Sequence, residues 1–191
     1  MSSVTIFGTG TMGQAIAGVL ARGGATVQHI GSSDTEASVS GDLVVLAVPY
    51  ASLATIAATY GDRLAGKVVV DITNPVNFET FDSLVVPEGS SAAAKLQAAL
   101  PEARVLKAFN TNFAATVASG TIGGETTTVL VAGDDAEAKA ALVAAVEAGG
   151  LAALDAGSLA RAHELEALGF LQLTLAATGK VSWASGFAVV R

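Results

Sequence analysis

Unbroken apolar runs constrain the fold of this chain more than any other feature of its sequence. The strongest runs lie at 4–7, 42–48, 66–72, 104–109 and 127–132, and weaker ones at 25–30 and 151–154. Strands that read as continuous apolar runs, rather than as alternating ones, are buried on both faces of a sheet. Helix-like stretches separate them at 14–22, 51–60, 91–100 and 136–148. This alternation predicts βαβ units, and hence an α/β fold with a doubly wound, mainly parallel sheet and helices on both faces.

A glycine motif follows the first predicted strand directly and opens the first predicted helix. Its six residues form a G-x-G-x-x-G pattern: Gly8, Thr9, Gly10, Thr11, Met12 and Gly13. In Rossmann-type folds the first glycine permits a tight turn, the second lets the backbone approach a pyrophosphate, and the third lets helix pack on strand. The free N–H groups at the start of the helix then face the anion. The order of strand, motif and helix therefore predicts that these six residues bind a dinucleotide.

The sequence indicates one Rossmann-type domain with a short helical C-terminal extension. We expect the nucleotide-binding domain over 1–157, and a C-terminal helix and tail over 158–191 that packs on the same domain or on a dimer partner. The predicted helix at 161–178 carries more leucines than one apolar stripe needs, so both a homodimer and a helix sandwiched against its own sheet stay open. In the tail, Trp183 and Phe187 either pack in the core, close a second-ligand pocket or contact a partner.

Composition and charge exclude several classes of function. With 10 basic and 17 acidic residues the net charge is −7, which disfavours nucleic acid and anionic membranes as partners. The chain has no cysteine and only two histidines, so we expect no metal site. Mean hydropathy is high at +0.56, yet no run reaches the roughly 18 apolar residues of a spanning helix. We therefore expect a cytoplasmic protein without a membrane partner.

The end of the second predicted strand bears on the choice between NAD and NADP. Folds that select NAD usually place an acid there, about 20 residues past the motif, to bind the ribose 2′-hydroxyl. This chain has Ser32 and Ser33 in that window, and the nearest carboxylate is Asp34. The serine hydroxyls and the backbone N–H groups of the turn suit a 2′-phosphate. We therefore favour NADP over NAD, although no Arg or Lys lies between Gly23 and Arg63 to act as a cationic clamp.

Other candidate binding residues follow the later predicted strands, because ligands of open α/β sheets lie beyond the carboxyl ends of the strands. Ala47, Val48 and Pro49 are expected to form an apolar wall near a nicotinamide ring. Three further candidates follow the next two strands: Asn74, Pro75 and Asn110. The two asparagines, together with Thr73, offer neutral hydrogen bonds to a carboxamide or to a second ligand.

No catalytic residue is assigned from the sequence. Lys107 is a candidate general acid, but we expect a lysine at a strand end with its ammonium group in solvent, and Asp71 to cap or pair structurally. His163 is expected on a solvated helix face near Glu164 and Glu166. A nicotinamide site without a proton relay suits hydride transfer to an acceptor that needs little acid–base help.

These motifs resemble the coenzyme F420-dependent NADP oxidoreductase family. The resemblance rests on the glycine motif together with the segments at 31–33, 46–49, 71–75, 107–111, 131–135, 155–157 and 161–166. It implies a hydride moving between NADP and a deazaflavin or flavin. It also implies that Gly8 to Gly13 bind pyrophosphate, that Thr9 and Ser32 approach the 2′-phosphate, and that Val48 and Pro49 flank the nicotinamide ribose. Members commonly carry Arg after the serine that matches Ser32, where this chain has Ser33.

The sequence thus favours an NADP-dependent oxidoreductase that binds NADP(H) and reduces a flavin-like small-molecule acceptor, either coenzyme F420 or a flavin. Two alternatives stay open. One is an NADPH-dependent reductase of a small carbonyl or imine, although only 34 residues follow Gly157 for the large helical domain of that class. The other is a non-catalytic NADPH-binding sensor.

Overall fold

A computed structural model describes residues 3–190, and its nine strands alternate with six α-helices through most of that range. The strands are β1 (Ser3–Phe7), β2 (Thr26–Ile30), β3 (Leu43–Leu46), β4 (Val68–Asp71), β5 (Arg104–Lys107), β6 (Thr121–Ile122), β7 (Glu125–Thr126), β8 (Thr128–Gly133) and β9 (Ala152–Gly157). The helices are α1 (Thr11–Arg22), α2 (Leu53–Leu64), α3 (Ala92–Ala99), α4 (Ala114–Ser119), α5 (Ala136–Ala148) and α6 (Ala162–Ala177).

Seven strands form one sheet in the order β2-β1-β3-β4-β5-β8-β9. Every neighbouring pair is parallel except β5 and β8. The predicted doubly wound, mainly parallel sheet is therefore confirmed. Because β2 lies on one side of β1 and β3 on the other, the winding of the chain reverses between β1 and β3.

Both faces of the sheet are buried, as the continuous apolar runs predict. Val45 and Val70 point into a core formed with α1 and α5, while Val44 and Val69 point into a second core formed with α2 and α3. All four valines have 0% exposure. Among residues 3–190, no helix is long and apolar enough to cross a bilayer.

Three short features are not predicted by the sequence: helix α4, the β6–β7 hairpin, and the antiparallel step from β5 to β8. Helix α4 has six residues and each hairpin strand has two. Segments of this length carry no readable hydrophobic period. The antiparallel direction of β8 depends on the path of the segment between β5 and β8, which contains α4 and the hairpin. Local composition does not encode that path.

Helix α6 packs on the same chain with a face that its leucines do not predict. The buried positions repeat at helical spacing and are Ala162, Leu165, Glu166, Gly169, Gln172 and Ala176. Leu171, by contrast, is 50% exposed. Small and polar residues, together with Leu165, therefore form the contact face of α6.

Lys107 is buried in a group of three charges at the carboxyl ends of β4 and β5. Its Nζ lies 2.9 Å from Asp71 Oδ2 and 2.8 Å from Glu166 Oε1, and all three side chains have 0% exposure. The expectation of an ammonium group in solvent is therefore wrong, as is that of a solvated face at Glu166. The reason is that residues distant in sequence supply two carboxylates, which make burial of the ammonium group tolerable.

Glu166 also binds the start of α3. Its carboxylate accepts hydrogen bonds from the N–H groups of Ala92, at 2.9 Å, and Ala93, at 3.3 Å. Burial raises the pKa of Glu166 above its ordinary value, against the opposing effect of Lys107 and the N–H donors. A single carboxylate on α6 is thus the point at which α3, α6 and β5 meet.

Replacing Lys107 with Met is expected to lower the free energy of unfolding by about 3–5 kcal/mol, because it leaves Asp71 and Glu166 buried without their cation. Urea denaturation measures this change. The matched control is Lys139→Met, since Lys139 also lies 2.8 Å from a carboxylate, that of the half-exposed Asp155. This control should lose at most about 1 kcal/mol. Equal losses in the two variants would contradict a stabilising role for the buried group.

Candidate functional site

The ends of five parallel strands lie level with one another and define the edge of the sheet where the candidate residues lie. Phe7 pairs with Ile30 and with Leu46, Leu46 pairs with Asp71, and Asp71 pairs with Lys107. Every candidate residue from the sequence follows the end of one of these strands. Ligands of such sheets bind beyond this edge, at the point where the winding reverses. Here that point lies between Gly8 and Ala47.

The glycine motif forms a tight turn that is closed toward the protein and open toward solvent at one position. Gly8 has φ +108°, and a Cβ on it would lie 2.2 Å from the carbonyl oxygen of Ala47. A Cβ on Gly13 would lie 2.9 Å from the carbonyl oxygen of Gly8. A Cβ on Gly10 would meet nothing within 4 Å. Only Gly10 therefore leaves space that the protein itself does not fill.

Helix α1 begins at this open space without a cap from a side chain. Gly10 is its N-cap residue, no side chain accepts a hydrogen bond there, and the first turn carries no acidic residue. The first N–H groups of a helix have no partner within it, and they carry its positive dipole end. Thr9 and Thr11 are exposed beside them, whereas Met12 packs partly against the core. This combination fits a phosphate or pyrophosphate group.

The turn after β2 presents two serines next to a carboxylate. Ser32 and Ser33 are exposed. Asp34 Oδ2 accepts the N–H of Gly31 at 3.0 Å, so the carboxylate folds back over the turn. Tyr60 donates its hydroxyl hydrogen to the carbonyl of Asp34 and anchors the turn on α2.

Arg63 brings a cation close to this turn, which the sequence did not indicate. Its guanidinium group donates to the carbonyls of Ala37, at 2.7 Å, and Thr35, at 3.2 Å. It also lies over the ring of Tyr60, 4.3 Å from the centroid. The guanidinium group therefore holds the loop after β2 in place, and its donors are directed at backbone oxygens.

The segment after β3 supplies the expected apolar surface. Ala47 and Val48 are half-buried, and Pro49 is exposed and precedes a 3-10 turn at Tyr50–Ser52. The N–H of Ala47 donates to the carbonyl of Phe7 at 2.9 Å, which holds this segment against β1. The apolar wall and the glycine motif are therefore direct neighbours.

Asn74 and Asn110 are brought together at the ends of β4 and β5. Asn74 Nδ2 donates to the Asn110 carbonyl at 2.8 Å, and Asn110 Nδ2 donates to Asn74 Oδ1 at 2.9 Å. Pro75, by contrast, is buried, and its carbonyl accepts the N–H of Val85 at 2.7 Å. The structure thus joins the two asparagines and places Pro75 beneath the loop that follows.

Three buried polar atoms near these strand ends have no hydrogen-bond partner among residues 3–190. They are Thr73 Oγ1, Asn110 Oδ1 and Asn112 Oδ1. Buried polar atoms in folded proteins are nearly always paired, so unpaired ones indicate a place for a ligand or water. Such atoms fit the amide and carbonyl groups of a carboxamide.

Sequence reasoning missed two residues of α6 that contact this site, Glu166 and Gly169. A Cβ on Gly169 would lie 2.4 Å from Asn74 Oδ1. Glu166 contacts Lys107, as described above. A charged residue and a glycine among leucines carry no local signal of a contact with strand ends.

The tail beyond α6 contacts the segment that follows β5. Trp183 packs on Phe113, with ring centroids 5.0 Å apart, and is 52% exposed. Phe187 is 46% exposed. The alternative of core packing for these two side chains is therefore wrong, while the homodimer stays a prediction.

Comparisons with known proteins agree with this geometry. A family model described as NADP oxidoreductase, coenzyme F420-dependent, matches residues 25–75. The F420-dependent NADP reductase of Methanocaldococcus jannaschii is 30% identical over 154 residues, which cover 78% of this chain and 69% of that protein. Metalloreductase STEAP3 of Rattus norvegicus is 37% identical over 136 residues, 70% of this chain, and the chain spans 26% of that relative's length.

Among solved structures, the crystal structure of a proposed F420-dependent NADP reductase from Arthrobacter sp. FB24 is similar over its whole length. It has a TM-score of 0.86 and 27% sequence identity, and the match covers 100% of both chains. The family resemblance of the motifs is therefore confirmed by a relative with matching sequence and by a structure with matching fold. The chain belongs to the F420-dependent NADP oxidoreductase family.

Proposed function

We propose that this protein binds NADP(H) along the carboxyl edge of its sheet and transfers hydride between NADP(H) and a flavin-like acceptor, coenzyme F420 or a flavin. The observation that carries the proposal is the glycine motif at the β1–β3 reversal. There Gly10 and the uncapped start of α1 leave space and N–H donors for a pyrophosphate. Membership of the family supports the choice of NADP(H).

Different groups of residues along the edge would bind different parts of the cofactor. Gly8 to Gly13 would hold the pyrophosphate through backbone N–H groups. Ser32 and Ser33 would bind the 2′-phosphate with their hydroxyls. Ala47, Val48 and Pro49 would pack against the nicotinamide ribose and exclude water. Asn74 and Asn110 would bind the nicotinamide carboxamide, and the buried Pro75 would support their segment from below.

When bound, the cofactor would supply a hydride from its nicotinamide ring. Reduction of a carbonyl or an imine also needs a proton donor placed beside the substrate. The sequence offered Lys107 for that role, but its ammonium group is buried between two carboxylates. Because both carboxylates hold this ammonium group, it is not placed to donate a proton to a substrate. This favours a flavin-like acceptor, whose ring accepts hydride with little acid–base help.

The variant Gly10→Val is expected to weaken NADPH binding by at least about tenfold, or 1.4 kcal/mol, because its side chain occupies the space of the pyrophosphate. Isothermal titration calorimetry measures this change. Since a Cβ at Gly10 meets no protein atom within 4 Å, the variant should still fold, with a loss of at most about 2 kcal/mol at the N-cap of α1. Unchanged NADPH affinity in a folded Gly10→Val protein would refute the proposed pyrophosphate site.

The variant Asp34→Asn distinguishes an NADP site from an NAD site. Asparagine keeps the acceptor for the Gly31 N–H but removes a negative charge beside Ser32 and Ser33. We expect several-fold tighter NADPH binding, since charge repulsion with the 2′-phosphate falls, and unchanged NADH binding. Weaker NADH binding with no gain for NADPH would instead identify Asp34 as a ligand of the ribose 2′-hydroxyl.

The acceptor is tested by mixing the purified protein with NADPH and coenzyme F420, FMN or FAD, and following the loss of NADPH absorbance. Oxidation is expected with at least one of these acceptors. The Gly10→Val protein is the matched control, in which the rate at an NADPH concentration below saturation should fall by about tenfold or more, in line with its weaker binding. If the wild-type protein binds NADPH but oxidises it with none of the three, the proposed hydride transfer is wrong.

A further inference from the structure

One face of α6 contacts the residues at and after the ends of β4 and β5 at three positions within about one turn. The carbonyl of Leu165 accepts a hydrogen bond from Asn110 Nδ2 at 2.8 Å. Glu166 contacts Lys107 at 2.8 Å. Gly169 lies so close that a Cβ would be 2.9 Å from the Asn110 carbonyl oxygen and 2.4 Å from Asn74 Oδ1. The C-terminal helix is therefore in direct contact with both asparagines.

Lys107 connects Glu166 to the segment that carries Asn74, because it contacts both. Its Nζ donates to the carbonyl of Thr73 at 2.5 Å and to Asp71 at 2.9 Å. Asp71 Oδ1 in turn accepts the N–H of Thr73 at 2.8 Å. The backbone of Thr73 is thus held by Asp71 on its N–H side and by Lys107 on its carbonyl side, and Lys107 in turn pairs with Glu166 of α6.

The position of Asn110 is constrained from its other side as well. It follows Phe109, which is fully buried and has φ +61°, an uncommon conformation for a bulky residue. Such a backbone persists only where the surrounding structure enforces it, and it occurs often at ligand sites. Asn110 is 5% exposed, and its Oδ1 has no partner among the described residues although both hydrogen bonds of its Nδ2 are made.

We propose that α6, through Glu166 and Gly169, positions Thr73, Asn74 and Asn110 to receive the carboxamide of the nicotinamide. This inference rests on the proposed NADP(H) binding. The carboxamide has an NH2 donor for Asn110 Oδ1 and a carbonyl acceptor for the Thr73 hydroxyl, two of the three buried groups that lack partners among the described residues. Glu166 and Gly169 are positioning residues, since they act through Lys107 and the asparagines. The glycine motif then holds the adenosine side of the cofactor, and α6 determines the nicotinamide side.

The test compares two ligands that differ by the nicotinamide, NADPH and 2′-phosphoadenosine diphosphoribose. The variant Gly169→Ala introduces a methyl group that displaces the asparagine pair without reaching the glycine motif. We expect about tenfold weaker NADPH binding, as loss of one or two hydrogen bonds predicts, with unchanged binding of the fragment. Calorimetric titration gives both dissociation constants.

The matched control is Gly61→Ala, the same substitution inside α2. There a Cβ would meet only Leu100 Cδ2, at 3.7 Å. Both dissociation constants should equal those of the wild type, and the melting temperature should rise, because alanine favours a helix over glycine. This control separates the contact at Gly169 from the general effect of replacing a helical glycine.

A second variant, Glu166→Gln, carries the same test if Gly169→Ala does not fold. It keeps the side-chain volume but removes a charge that holds Lys107, so NADPH binding should again weaken more than fragment binding. Equal weakening of both ligands, or none, would overturn the positioning role and leave the proposed function standing. If the wild-type protein itself binds no NADPH, the proposed function fails, and the inference fails with it.

Discussion

The buried ammonium group of Lys107 is the interaction on which the arrangement of this protein's site depends. A lysine is almost never fully buried without partners, and here Asp71 and Glu166 supply two carboxylates from different elements. Because Glu166 also binds the first N–H groups of α3, this one cluster ties together β4, β5, α3 and α6. The ends of the strands, which carry the candidate ligands, are therefore held by charges that solvent does not screen.

At the other end of the candidate site, a bound phosphate would meet few cations. The chain has a net charge of −7, and Asp34 lies beside the two serines. The guanidinium group of Arg63 reaches this loop but is directed at carbonyl oxygens. The attraction available to an anion there is therefore that of backbone N–H groups, the dipole of α1 and the hydroxyls of Ser32 and Ser33. A site of this kind depends on exact backbone geometry more than on side-chain charge.

Helix α6 shows how a site can depend on an element outside the strand–helix core. Its buried face consists mainly of small and polar residues, among them Glu166, Gly169 and Gln172, while Leu171 is half exposed. A glycine permits the close approach to Asn74, and a glutamate is retained because Lys107 neutralises it. The leucines of α6 do not mark this face, since Leu165 lies in it and Leu171 lies outside it. Hydrophobic patterning alone is therefore a poor guide to which face of a helix meets a polar site.

The sequence by itself determined the α/β class, the mainly parallel sheet, the dinucleotide motif and the family. These depend on local signals: continuous apolar runs such as 42–48, and glycines at fixed spacing next to the first strand. Only the tertiary structure decided the burial of Lys107, the contact face of α6 and the pairing of Asn74 with Asn110. The physical reason is that each of these depends on a partner far along the chain, as with Lys107 and Asp71, which are 36 residues apart. From sequence alone a charged residue is expected to be solvent-exposed, because its counter-charge becomes a neighbour only in the folded structure.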